Sequence, residues 1–173
     1  MKNKKYVIII SCILLISVAI IITHKLIAWY SLYYRVNNVT MLVALCNKYY
    51  YDNGHAYPGV REGVLDWRAL GLLVPKYLNN PMRLILPNDV NRKNKRIIME
   101  GYNYNAKIFS EKYAISYYYV VASGPEARDV IIIEDPYSMK DIKEFLVGYS
   151  DNSVGAKSKE EVIQIIAKTK KSH

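Results

Sequence analysis

The chain has 173 residues, a formal charge of +9 and only two cysteines. Residues 1–35 hold five basic groups and no acidic one, so more than half of the excess charge sits at one end and does not mark a nucleic-acid-binding domain. Cys12 and Cys46 fall on what reads as one helix and cannot reach each other, which excludes a disulfide-stapled scaffold.

From Tyr6 to Thr23 eighteen residues pass without a formal charge. As a helix this run covers about 27 Å, close to the ~30 Å hydrocarbon core of a bilayer, and Leu26 to Tyr30 can complete the crossing. Lys2, Lys4 and Lys5 precede the run, while only Lys25 and Arg35 follow closely. This bias predicts a cytoplasmic N-terminus. A secretory signal shares the basic and apolar regions, but no small-x-small cleavage site follows Ile20-Ile21-Ile22-Thr23-His24-Lys25. The expected organisation is a cytoplasmic stub and anchor helix over residues 1–30, with the lipid bilayer as partner of residues 6–23. An extracytoplasmic domain over residues 31–173 follows, long enough for one core.

Leu32, Val36, Val39, Val43, Cys46 and Tyr50 recur at alternating spacings of four and three, the pattern of one buried helical stripe. No Gly or Pro occurs before Gly54, so the helix is expected to run unbroken to about Tyr51. Gly54 suits a left-handed C-cap and Tyr57-Pro58-Gly59 a turn. Asp66 to Leu73 predicts a short second helix with Asp66 as N-cap and Leu70, Leu73 and Val74 on one side. Asn88 to Arg96 reads as a polar loop carrying the basic run Arg92-Lys93-Asn94-Lys95-Arg96.

Beyond it the texture changes to strands. Tyr102-Asn103-Tyr104, Ala114 to Ala122, Val130 to Glu134 and Glu144 to Tyr149 are rich in β-branched and aromatic residues. Asp151-Asn152 predicts a hairpin turn into a strand near Val154, and Ser158 with Glu161 has capping-box spacing for a last helix. The fold class is therefore α+β: a long N-terminal helix, membrane-spanning in its first half and the domain's spine in its second, packed on a small antiparallel sheet.

Leu45-Cys46-Asn47-Lys48-Tyr49-Tyr50-Tyr51-Asp52-Asn53-Gly54-His55-Ala56-Tyr57-Pro58 resembles the "Leu…Tyr…Asp-Asn-Gly-x-Tyr-Pro" segment of the major pseudopilins of type II secretion systems, which share the type IV pilin architecture. Leu70-Gly71-Leu72-Leu73-Val74-Pro75-Lys76-Tyr77-Leu78-Asn79-Asn80-Pro81 resembles the "Leu…Leu-Val-Pro-x-Tyr-Leu…Pro" segment that follows in that group. Tyr102 to Asn105, Ala122 to Glu126 and Val147 to Val154 resemble further stretches of pilin-like proteins. The resemblance implies a pilin-like domain, a bacterial inner-membrane location, and other pilin-like or secretion-system proteins as partners.

The chain departs from that family at its start. Pilins are cut after a glycine just ahead of the apolar run, and a glutamate early in the processed chain pairs with a neighbouring subunit's N-terminal amine. Here no Gly precedes Gly54 and no Asp or Glu precedes Asp52. The expectation is a pilin-like domain on a permanent anchor. The family's calcium loop finds its nearest counterpart in Asp129, Glu134 and Asp135, whose spacing matches no loop template, so no metal or other cofactor is expected.

The three histidines, His24, His55 and His173, are scattered, and no nucleophile elbow, P-loop, dinucleotide fingerprint, CxxC or HExxH occurs. No catalytic residue is assigned and the chain is not expected to be an enzyme. The leading expectation is a structural or assembly protein related to secretion or pilus components. The alternative is an anchored binding module for a peptide, glycan or nucleic acid, with the tyrosine-rich strands or Arg92 to Arg96 as the contact.

Overall fold

The computed structural model describes residues 2–61, 66–101 and 115–169. Helix α1 runs from Lys2 to Asp52 without a break, as the absence of Gly and Pro allows. The chain divides into two compact units, Met1–Tyr34 and Arg35–His173. In the first unit every described side chain from Ile10 to Tyr30 is exposed, Leu15 reaching 70%.

The second unit begins with the last turns of α1. Asp52 ends the helix, Asn53 and His55 donate their backbone N–H groups to the Tyr49 and Tyr50 carbonyls at 2.9 Å, and Gly54 takes the left-handed conformation at φ +63°. A 3-10 helix, Trp67–Leu73, follows with Asp66 as N-cap, its carboxylate accepting the Arg68 N–H at 3.0 Å. The predicted second helix is thus in place as a 3-10 helix, with Leu70, Leu73 and Val74 buried. A second 3-10 helix, Pro81–Leu84, is capped by Asn80.

The expected polar loop is instead the start of helix α2, Arg92–Gly101. It forms because the Asp89 carboxylate turns the chain by accepting the Asn91 N–H at 2.8 Å, and because Lys95 is drawn inward. The expected strand at Tyr102-Asn103-Tyr104 lies outside the described residues. The expected strand from Ala114 to Ala122 is confined, within them, to β1, Tyr117–Tyr119.

Strands β2, Val130–Glu134, β3, Glu144–Tyr149, and β4, Val154–Ser158, complete a four-stranded antiparallel meander in chain order. The α+β class, the long helix and the antiparallel sheet all stand. In β2 the residues Ile131, Ile132 and Ile133 are fully buried, so both faces of that strand are covered. Tyr149 and Ser153 close the predicted turn at Asp151-Asn152, Asn152 adopting φ 66°.

Helix α3, Lys159–Thr169, opens with the expected capping box: Ser158 Oγ accepts the Glu161 N–H at 3.3 Å and Glu161 accepts the Ser158 N–H at 2.8 Å. That backbone N–H, with the Lys157 ammonium behind it, holds the Glu161 carboxyl below its ordinary value. Val162 and Ile166 are its buried face.

Candidate functional site

The stripe that α1 buries in the second unit is not the one that apolar spacing picks out. Val39, Val43 and Cys46 are fully buried as expected, but Leu32 is 48% exposed in the first unit and Val36 is 37% exposed in the second. The buried positions are Arg35, Asn38, Val39, Leu42, Val43, Cys46, Asn47 and Tyr49, a wider band at the three- and four-residue spacings of one helix face. Leu42 and Val43 supply its apolar centre, and its polar members occur toward either end.

Each buried polar residue of α1 fastens a different piece of the domain. Arg35 Nε donates to Glu134 Oε1 at 2.9 Å, its Nη2 donates to Glu134 Oε2, and the same nitrogen reaches the Glu144 carbonyl at 2.7 Å. Asn38 Oδ1 accepts from Arg83 Nη1 at 3.0 Å, tying the helix to the second 3-10 segment. Asn47 Nδ2 donates to the Ser150 carbonyl at 2.7 Å and to Asn152 Oδ1 at 3.0 Å, while Tyr57 donates its hydroxyl to Asn47 Oδ1 at 2.7 Å. Burial, reinforced by neighbouring Cys46, pushes the Tyr57 phenol well above its ordinary value, so it remains a donor to Asn47.

A second buried cluster joins Asp89, Lys95 and Ser116. Lys95 Nζ donates to Asp89 Oδ2 at 2.6 Å and to the Ile115 carbonyl at 2.8 Å; Ser116 Oγ donates to the same carboxylate oxygen at 2.6 Å and accepts the Leu86 N–H at 2.9 Å. Lys95 is only 1% exposed. This takes one of the four cations of the run Arg92 to Arg96 out of solvent, while Lys93 and Arg96 stay exposed. The cluster joins the start of α2 to the segment entering β1.

The tyrosine-rich strand is likewise core: Tyr117 and Tyr119 are buried, and Tyr119 donates its hydroxyl to the Pro58 carbonyl at 2.9 Å. Among the described residues of the second unit, the exposed tyrosines are Tyr51 and Tyr137. Around the end of α1 the rings of Tyr50 and Tyr51 meet the His55 ring edge-on, with centroids 5.2 and 6.1 Å away.

Asp129, Glu134 and Asp135 do not converge on one point. Glu134 is bound to Arg35, Asp129 accepts the Ser123 N–H at 2.7 Å and Asp135 accepts the Tyr137 N–H at 2.9 Å. Among the described residues no group of three or more His, Cys, Asp or Glu is placed to hold a metal ion.

The feature least accounted for by folding is the first unit. A helix that is apolar all round is stable only when something apolar surrounds it. The described part of α1 is long and apolar enough to cross a membrane. Two of its hydroxyls are satisfied within the helix: Ser17 donates to the Ile13 carbonyl at 2.9 Å and Thr23 to the Ala19 carbonyl at 2.8 Å. Past them the exposed side chains become aromatic, with Trp29 and Tyr33 stacked at 5.7 Å.

Comparisons with known protein families, with curated proteins and with solved structures find no match to this chain.

Proposed function

We propose that this chain is a single-pass, membrane-anchored pilin-like protein that acts by association and not by catalysis. The N-terminus lies in the cytoplasm and the α+β domain outside, in a bacterial inner membrane. The observation that carries the reading is one continuous helix, Lys2–Asp52, exposed at every residue from Ile10 to Tyr30 in its first unit and buried along one face in its second.

That arrangement suits the pilin-like architecture to which the segments Leu45 to Pro58 and Leu70 to Pro81 point. Other pilin-like or secretion-system proteins are the expected partners. Of the contacts of the binding-module alternative, Tyr117 and Tyr119 are buried and Lys95 is committed to Asp89, while Lys93 and Arg96 stay exposed.

The test is fractionation with intact-mass measurement of the extracted protein. The chain is expected to resist alkaline carbonate washing and to keep Lys2, Lys4 and Lys5. Release by carbonate, or loss of the apolar segment from the mature mass, overturns the anchor.

A further inference from the structure

We propose that Trp29, Tyr30 and Tyr33 form a one-sided aromatic collar that sits in the lipid headgroup layer and fixes the depth and rotation of α1 in the bilayer. The inference rests on the anchor reading and adds to it a specific contact surface.

Three observations converge on these residues. They are exposed for 64%, 64% and 59% of their surface, although each is large and mostly apolar. At about 100° per residue on an α-helix they fall within a ~100° sector, and the Trp29 and Tyr33 rings stack at 16° to form a continuous slab. They also stand at the right height. Counting from Lys5 at the inner boundary, ~30 Å of hydrocarbon ends near Lys25, and the ~6 Å headgroup layer beyond it covers the next four or five residues. A usual tilt of about 20° brings Tyr33 toward the same layer.

The chemistry of the rings matches that layer. An indole or phenol has an apolar body, which gains by leaving water, and one polar atom, which needs a partner that the hydrocarbon does not supply. The Trp29 indole N–H and the Tyr30 and Tyr33 hydroxyls find such partners in lipid phosphates, ester carbonyls and interfacial water. The Lys25 ammonium, one turn nearer the hydrocarbon, can snorkel outward to the same phosphates. A ring of aromatics spread evenly round the helix would fix depth alone. A sector fixes rotation as well, because only one azimuth keeps all three rings in the layer when the helix tilts.

The experiment uses the full chain carrying Trp67→Phe, which leaves Trp29 as its only tryptophan, reconstituted in phosphatidylcholine–phosphatidylglycerol vesicles. Trp29 emission is read against acrylamide and against lipids brominated at shallow or deep acyl positions. Blue-shifted emission, a several-fold loss of acrylamide quenching relative to free tryptophanamide, and stronger quenching by shallow than by deep bromines support the collar. Adding Tyr30→Ser and Tyr33→Ser should weaken that shallow preference. Full acrylamide quenching while the chain floats with the vesicles overturns the collar and leaves the anchor intact, as does quenching that is strongest at the deep position. A chain that fails to float with the vesicles overturns the anchor itself.

Discussion

Arg35 and Glu134, ninety-nine positions apart in the chain, meet as a buried ion pair in which Arg35 Nε donates to Glu134 Oε1 at 2.9 Å. Glu134 also accepts the Leu146 N–H at 2.8 Å, and Arg35 also donates to the Glu144 carbonyl at 2.7 Å. The pair therefore joins α1 to β2 and β3 at once. Two charges out of water offset their desolvation only with good geometry and further hydrogen bonds, and here Glu134 Oε2 also holds the Leu146 N–H while Arg35 Nη2 also holds the Glu144 carbonyl.

Replacing Glu134 with Gln keeps the shape and an acceptor for Leu146 but strands the Arg35 charge. The expected loss is about 3–5 kcal/mol in urea unfolding of the detergent-solubilised chain. Arg35→Met with Glu134→Leu should recover only part of that. Without the ion pair the Leu146 N–H and the Glu144 carbonyl are left unpaired, at about 1–3 kcal/mol each. A double variant as stable as the parent would show that these two backbone groups find other partners.

Gly148 on β3 lies directly beneath α1, and a Cβ built there would stand 2.5 Å from Val43 Cγ2 and 2.8 Å from Val39 Cγ1. Gly148→Ala should cost about 1–3 kcal/mol by overpacking. Val43→Ala in the same chain should give back part of the loss by clearing the nearer clash, less than it would cost alone in the parent. Val43→Asp should be worse than either, since it buries an unpaired charge. Unchanged unfolding of Val43→Asp would place that face of the helix in solvent.

Cys46 is fully buried, and desolvation pushes its thiol far above the ordinary cysteine value, so the thiolate is all but absent in the folded chain. Iodoacetamide is expected to leave Cys46 unmodified in native protein and to alkylate it on denaturation, with peptide mass mapping to separate it from Cys12. Labelling of Cys46 at the unfolded rate would mean that the helix and sheet part readily.

Much of this architecture was legible because its signals are local. Gly54, the Asp66 cap, the turn at Asp151-Asn152 and the Ser158–Glu161 box each declare themselves within a few residues, and Val130 to Glu134 and Glu144 to Tyr149 have strand composition throughout. Long-range pairing left no such trace. Arg35, Asn38 and Asn47 carry no apolar signal, so hydrophobic periodicity picked out Leu32 and Val36 at the shoulder of the true face. Lys95 reads as one charge in a basic run until Asp89 and Ser116 are brought against it. The tyrosines of β1 look like a binding surface for the same reason: composition shows that a strand forms, not which neighbours cover it.

The last prediction concerns assembly. The chain is not expected to replace the major subunit of a pseudopilus. Residues Lys2-Asn3-Lys4-Lys5 ahead of the apolar run include no glycine, so a prepilin peptidase has no site at which to release an amine beside that run. No Asp or Glu precedes Asp52, so the first unit offers no carboxylate to a neighbour's amine. Inside a dry bundle of such helices an unpaired ammonium costs several kcal/mol, and every added subunit repeats the cost. Expression in a bacterial strain lacking its major pseudopilin, followed by shearing of surface filaments, should yield none that contain this chain. Installing a Gly at Lys5 and a Glu at Ile10 supplies both missing groups and should raise incorporation if these alone are limiting. Sheared filaments built from the unprocessed parent chain would show that this helix packs against its copies without charge pairing, and would refute the prediction.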